Sequence, residues 1–177
     1  AEKSGGGRSC LHKAAWNGHL EVVKYLLEVG GRELLLRVDR DGLSCLRFTI
    51  PHADVLRYLC EVGGRELLVT PDGVKTFTCA IHQGDVDLVR DMIERGGKDL
   101  LMIKAEDDFG PDSRSGRSCL AHAMAEGQDE IVDLLCEKGG DELMAMLSSE
   151  SADGDNESDF EAACRMGRAG LVRLLFR

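Results

Sequence analysis

The side chains of this 177-residue chain best suited to nucleophilic or metal chemistry are seven cysteines, at 10, 45, 60, 79, 119, 136 and 164, and five histidines, at 12, 19, 52, 82 and 122. No Cys-x-x-Cys pair occurs and the cysteine count is odd, so neither a zinc ribbon nor a disulfide framework is expected. The histidines are spread along the chain, and His82 has no Cys or Ser at a spacing that would make a nucleophile-base pair. Asp153, Asp155 and Glu157 alternate as calcium ligands do. A calcium loop of the EF-hand type wants Gly at its sixth position and Glu at its twelfth, where this chain has Ser158 and Cys164. There is no phosphate-binding glycine loop and no nucleophile elbow. We therefore expect no catalytic residue, no metal and no cofactor; the protein is read as a non-enzyme.

The bulk properties narrow the partners. With 22 Lys+Arg against 32 Asp+Glu the net charge is -10, and 43% hydrophobic with 31% charged residues is a globular balance. The length suits one compact domain or a short repeat array. Eight acids (Asp141, Glu142, Glu150, Asp153, Asp155, Glu157, Asp159 and Glu161) and no Lys or Arg lie between Gly139 and Cys164. No basic face stands out, so nucleic acid is not an expected partner. The acidic 141–161 segment would suit a basic protein surface. No stretch approaches the roughly 20 apolar residues that span a bilayer. The Gly-rich first ten residues lack the apolar core of a secretory leader. Unpaired cysteines point to a reducing intracellular compartment, either the cytoplasm or an organelle reached through a removed transit peptide.

The elements behind these side chains repeat. Glycine pairs at Gly30-Gly31, Gly63-Gly64, Gly96-Gly97 and Gly139-Gly140 are offset by 33, 33 and 43 residues, the signature of stacked supersecondary units. Ahead of them stand apolar quartets: Val22, Val23, Leu26, Leu27; Val55, Leu56, Leu59, Cys60; Leu88, Val89, Met92, Ile93; Ile131, Val132, Leu135, Cys136; a fifth is Leu171, Val172, Leu175, Phe176. Spacings of three and four put each quartet on one helical face. Shorter triplets upstream (Leu11, Ala14, Ala15; Leu46, Thr49, Ile50; Phe77, Ala80, Ile81; Leu120, Ala123, Met124; Phe160, Ala163, Cys164) mark a first helix in each unit. Ser9, Ser44, Ser118 and Ser158 stand where N-caps belong. Gly18, Gly84, Gly127 and Gly167 mark the turns between helices, a slot that Pro51 holds in the second unit. Each glycine pair leads into [Arg/Lys/Asp]-[Glu/Asp]-Leu-[Leu/Met], read as an extra turn tucked beneath the helix pair.

Gly7-Arg-Ser-Cys-Leu-His-Lys-Ala-Ala-Trp-Asn-Gly-His-Leu-Glu-Val-Val-Lys-Tyr-Leu-Leu-Glu-Val-Gly30 resembles the ankyrin repeat, G-x-T-P-L-H-x-A-A-x-x-G-H-x-x-V-V-x-x-L-L-x-x-G. The resemblance implies an all-α solenoid, a single domain over 1–177 with units at about 7–41, 42–72, 73–115, 116–157 and a partial 158–177. The family proline is replaced by Cys10, Cys45, Thr76, Cys119 and Asp159, and the family histidine is kept only as His12.

By resemblance, partners are gripped by finger loops and the inner ends of first helices. Slot by slot this implies Arg40, Asp41 and Leu43, Asp72 and Val74, and Arg114 and Arg117 on fingers. On helix ends it implies Trp16 and Asn17, His82 and Gln83, and Ala125 and Glu126. Trp16 is either an exposed anchor or packed on the neighbouring unit. Phe109, in the lengthened finger 104–115, either plugs a partner's pocket or folds back on the solenoid. Repeat 1 shows Val23, Tyr25 and Leu27 with nothing ahead of them, and repeat 5 closes on Leu-Leu-Phe-Arg. Both ends are expected to continue into further repeats or to dock on other subunits. The implied function is a protein-protein scaffold or adaptor, or alternatively a fixed accessory subunit of a large, organellar or other, assembly.

Overall fold

In a computed structural model, residues 7–103 and 118–149 are described, together with Gly167; side chains on the last helix are described through residue 143. Expectations for Phe109, Arg114, Arg117, the fifth unit and most of the acidic segment lie outside the described residues. The elements run α1 (Cys10–Trp16), α2 (Leu20–Leu35), a single 3-10 turn (Cys45–Phe48), α3 (Ala53–Leu68), α4 (Pro71–Gln83), α5 (Val86–Gly96), α6 (Lys98–Met102), α7 (Cys119–Ala125) and α8 (Asp129–Ser149). The one extended pairing among the described residues is an isolated antiparallel bridge, Val38 to Ser44. Among those residues, no helix is long and apolar enough to cross a membrane.

The helices form two layers. In the inner layer α1 packs on the 3-10 turn, the turn on α4, and α4 on α7; in the outer layer α2 packs on α3, α3 on α5, and α5 on α8. One core runs without a break from Leu11 to Leu143. A single helix pair cannot bury its apolar stripe alone, so each unit is stable only against its neighbours.

Quartet positions divide by direction. The second position (Val23, Leu56, Val89, Val132) is buried in all four units. The first is 48% exposed at Val22 but 0% at Val55, 1% at Leu88 and 0% at Ile131. The third is partly buried at Leu26 and fully buried at Leu59, Met92 and Leu135. First and third positions therefore face the preceding unit, which unit 1 lacks among the described residues.

The glycine pair has two physical jobs. A Cβ on the first glycine would collide with the leucine four residues on: Leu34 at 2.7 Å from Gly30, Leu67 at 2.5 Å from Gly63, Leu100 at 2.9 Å from Gly96, Leu143 at 2.6 Å from Gly139. The second glycine turns the chain at φ 62° (Gly31), 55° (Gly64), 71° (Gly97) and 56° (Gly140), a region costly for residues with a Cβ. The chain bends there, re-enters helix for one more turn, and buries Leu35, Leu67, Leu68, Leu100, Leu101 and Leu143 beneath the pair. The expected extra turn is present.

Three expectations need correction. The first helix of unit 2, expected across Leu46, Thr49 and Ile50, is only the 3-10 turn Cys45–Phe48. Pro51 disfavours helical backbone at Ile50 and lacks an amide to donate, so the helix stops short. Second, Asp72 and Val74 are not on a projecting finger: they lie in the first turn of α4, 8% and 5% exposed. Thr70 caps that helix by accepting from the Gly73 amide at 3.1 Å, and Pro71 supplies a pre-set φ just inside it, so helix begins where a finger was expected. Third, Ser9 and Ser118 cap their helices through their side chains, whereas Ser44 makes no side-chain cap bond.

Candidate protein-binding surface

The best-built surface joins the inner end of α1 to the finger after α2. The finger spans the Val38–Ser44 bridge, and Asp39 shapes its tip by accepting from the amides of Asp41 (2.9 Å) and Leu43 (3.0 Å). The Asp39 side chain is fully buried, and Arg8 Nε reaches its second oxygen at 3.4 Å. Burial alone would raise the Asp39 pKa. The two amides and the Arg8 guanidinium outweigh it and hold the carboxyl below the usual carboxylate range. The lowered pKa means that Asp39 stabilises the fold above its unfolded-state pKa and loses that contribution as pH falls through the folded value. In acid unfolding followed by circular dichroism, Asp39→Asn is expected to be less stable at neutral pH and to show a shallower acid-induced loss than the parent.

His12, 1% exposed, ties the finger to α1. Its Nδ1 accepts from the Ser9 amide at 3.3 Å, which leaves Nε2 to donate to the Leu43 carbonyl at 3.0 Å. In the next junction a different group serves: the Ser44 amide donates to the buried Asp72 carboxylate. Asp72 thus ties α4 to the start of the 3-10 turn.

Arg8 then links finger to helix end. Its guanidinium lies 4.5 Å from the Phe48 ring centroid and 5.3 Å from that of Trp16, while Trp16 and Phe48 meet at 5.3 Å with a 45° tilt. Phe48 is nearly buried at 8%, and Trp16 stays 54% exposed. One side of Trp16 rests on Phe48 of the neighbouring unit and on Arg8, and the rest faces solvent. His52 Nε2 lies 3.0 Å from the Trp16 carbonyl, fixing the end of α1 against unit 2. The result is a large aromatic held in place by neighbours, with little rotamer freedom left to lose on contact.

The remaining expected contacts are dispersed. Arg40 and Asp41 are exposed at the fingertip, and Leu43 is half-buried. Asn17 is exposed and donates to the Lys13 carbonyl at 2.8 Å, closing α1. His82 Nδ1 lies 3.1 Å from Glu126 Oε1, a pair that joins α4 to the end of α7, with Gln83 exposed beside it. Arg8 and Phe48 were missed at the level of sequence. The signal for Phe48 was Pro51, whose shortening of the first helix brings the ring against Trp16.

No group of three or more His, Cys, Asp or Glu side chains suited to a metal is assembled among the described residues. Burial pushes the thiols of Cys45 and Cys60 up to about 12 and that of Cys136 up to about 11. Such thiols are protonated at neutral pH and are poor nucleophiles. Native thiol alkylation read by peptide mass spectrometry is expected to modify exposed Cys10 while Cys45 and Cys60 react only on unfolding.

Paired helices in two stacked layers define a helical-repeat solenoid. The family model for ankyrin repeats (many copies) matches residues 1–27, which contain α1 and the first half of α2. Over that segment the chain is similar to the ankyrin repeat. No curated protein matches it.

Proposed function

We propose that the chain is a non-catalytic scaffold or adaptor that binds protein partners through the Trp16 patch and the Arg40-Asp41-Leu43 finger. The observation that carries this is the half-exposed Trp16 braced by Arg8 and Phe48. Ankyrin repeats are in general protein-protein interaction modules, and exposed side chains on the scaffold set the partner. His82, Gln83, Glu126 and Asn17 extend the surface along the inner helix ends. Buried, protonated thiols suit a reducing compartment, the cytoplasm or an organelle. The alternative, a fixed subunit of a larger assembly, is favoured by the apolar face that α2 leaves open.

The tagged protein and its Trp16→Ala variant, purified from the native extract and compared by quantitative mass spectrometry, test the reading. An anchor residue is worth at least about 2 kcal/mol, so partner recovery should fall by roughly tenfold or more. Recovery of every partner at parental level from the variant would contradict it. One dominant complex in both samples would favour the fixed subunit.

A further inference from the structure

We propose that the open face of α2 is a docking surface for a further helix-pair unit of the same construction, stacked in register ahead of unit 1 and carrying Lys or Arg directly after its glycine pair. This surface is distinct from the Trp16 patch.

The molecule contains its own control. Helices α2 (LEVVKYLLEVGGRELL) and α3 (ADVLRYLCEVGGRELL) are near copies, and α3 has a unit ahead of it. Val22 is 48% exposed where Val55 is 0%, and Val29 is 72% exposed where Val62 is 38%. Tyr25 is 65% exposed, whereas its counterpart Tyr58 is packed against the core. What covers the α3 face is the second helix of unit 1, so the occupant that fits the α2 face is another such helix. Lys24 of unit 1 lies 6.0 Å from the Tyr58 ring, a cation that Tyr25 lacks among the described residues.

Charge points the same way. The residue after each glycine pair reaches the acid in the next unit: Arg32 to Glu66 at 2.7 Å, Arg65 to Asp99, and Lys98 to Glu142 at 3.2 Å. Arg32 also donates to the Gly63 carbonyl at 3.2 Å. In this ladder Glu33 holds the acid slot of unit 1 with no ion-pair partner among the described residues. Each pair is weak by itself, but a repeated ladder sets register. A second copy stacking its fourth unit on this face would present Asp141 to Glu33, acid against acid.

The test fuses a copy of residues 7–41 directly ahead of Gly7 in the full chain, so that the added Arg32 faces the original Glu33. Amide exchange at residues 22–29 of the original α2 is expected to slow by about tenfold or more, and the melting midpoint to rise. Glu33→Lys in the fused protein should remove part of that gain. Reversing the added arginine as well (Arg32→Glu in the added copy) should restore it. Unchanged exchange in α2 would overturn the proposal, as would indifference to both charge changes. A concentration-dependent dimer of the unfused chain, abolished by Val22→Asp in analytical ultracentrifugation, would also overturn it by assigning the face to a second copy.

Discussion

Gly73→Ala is expected to lower the stability of the protein by about 3 kcal/mol, the upper end of what forced overpacking costs. Gly73 sits in the first turn of α4 with helical backbone, where alanine would ordinarily stabilise by up to about 1 kcal/mol through its helix propensity. The surroundings reverse that sign. A Cβ there would meet the Leu68 carbonyl oxygen at 2.4 Å and the Leu67 carbonyl oxygen at 2.5 Å. Both are backbone atoms at the end of α3, above the buried Leu67 and Leu68, and neither can rotate aside. Relief requires α4 to move off α3 at the junction where no finger intervenes. Urea unfolding followed by circular dichroism reads the sign directly: a variant as stable as the parent, or more so, would mean that α4 does not approach α3 this closely.

The second large effect is positional. Leu59→Ala and Leu135→Ala should each cost about 2–5 kcal/mol, because both side chains are fully buried between units and truncation leaves a cavity. Leu26→Ala, at the equivalent place in unit 1, should cost about 1 kcal/mol, since no helix among the described residues covers its upstream side and the side chain is only partly buried. Equal losses at Leu26 and Leu59 would contradict the directional reading of the quartet and, with it, the open face of α2.

Spacing alone revealed that these positions lie on one helical face, because period and helical geometry are properties of a single helix. Which member of the quartet faces which neighbour was not legible, since that depends on how units stack. Leu26 and Leu135 look alike in sequence and differ in burial for this reason. Around the site the same boundary applies. The places of Trp16 at the end of α1 and of His12 within it were readable from the family pattern, because both follow from position within one unit. Arg8 and Phe48 were not, since the cluster closes only where Phe48 of unit 2 meets Trp16 and Arg8 of unit 1. The absent finger at Asp72 and Val74 was signalled by Thr70-Pro71, a cap and a helix-starting proline that alignment on the glycine pairs overrode. Asp72 shows the consequence: a residue assigned to recognition by slot is a buried acceptor for the Ser44 amide.

The proposed grip on another protein at the Trp16 end of α1 has a direct test. Replacing Trp16 with the photo-crosslinking residue benzoylphenylalanine in the full chain, with the same replacement at exposed Glu94 on the outer helix α5 as control, tests it in the native extract. A discrete crosslinked protein is expected from position 16 that position 94 does not give. No crosslink from position 16, or the same products from both positions, would contradict it.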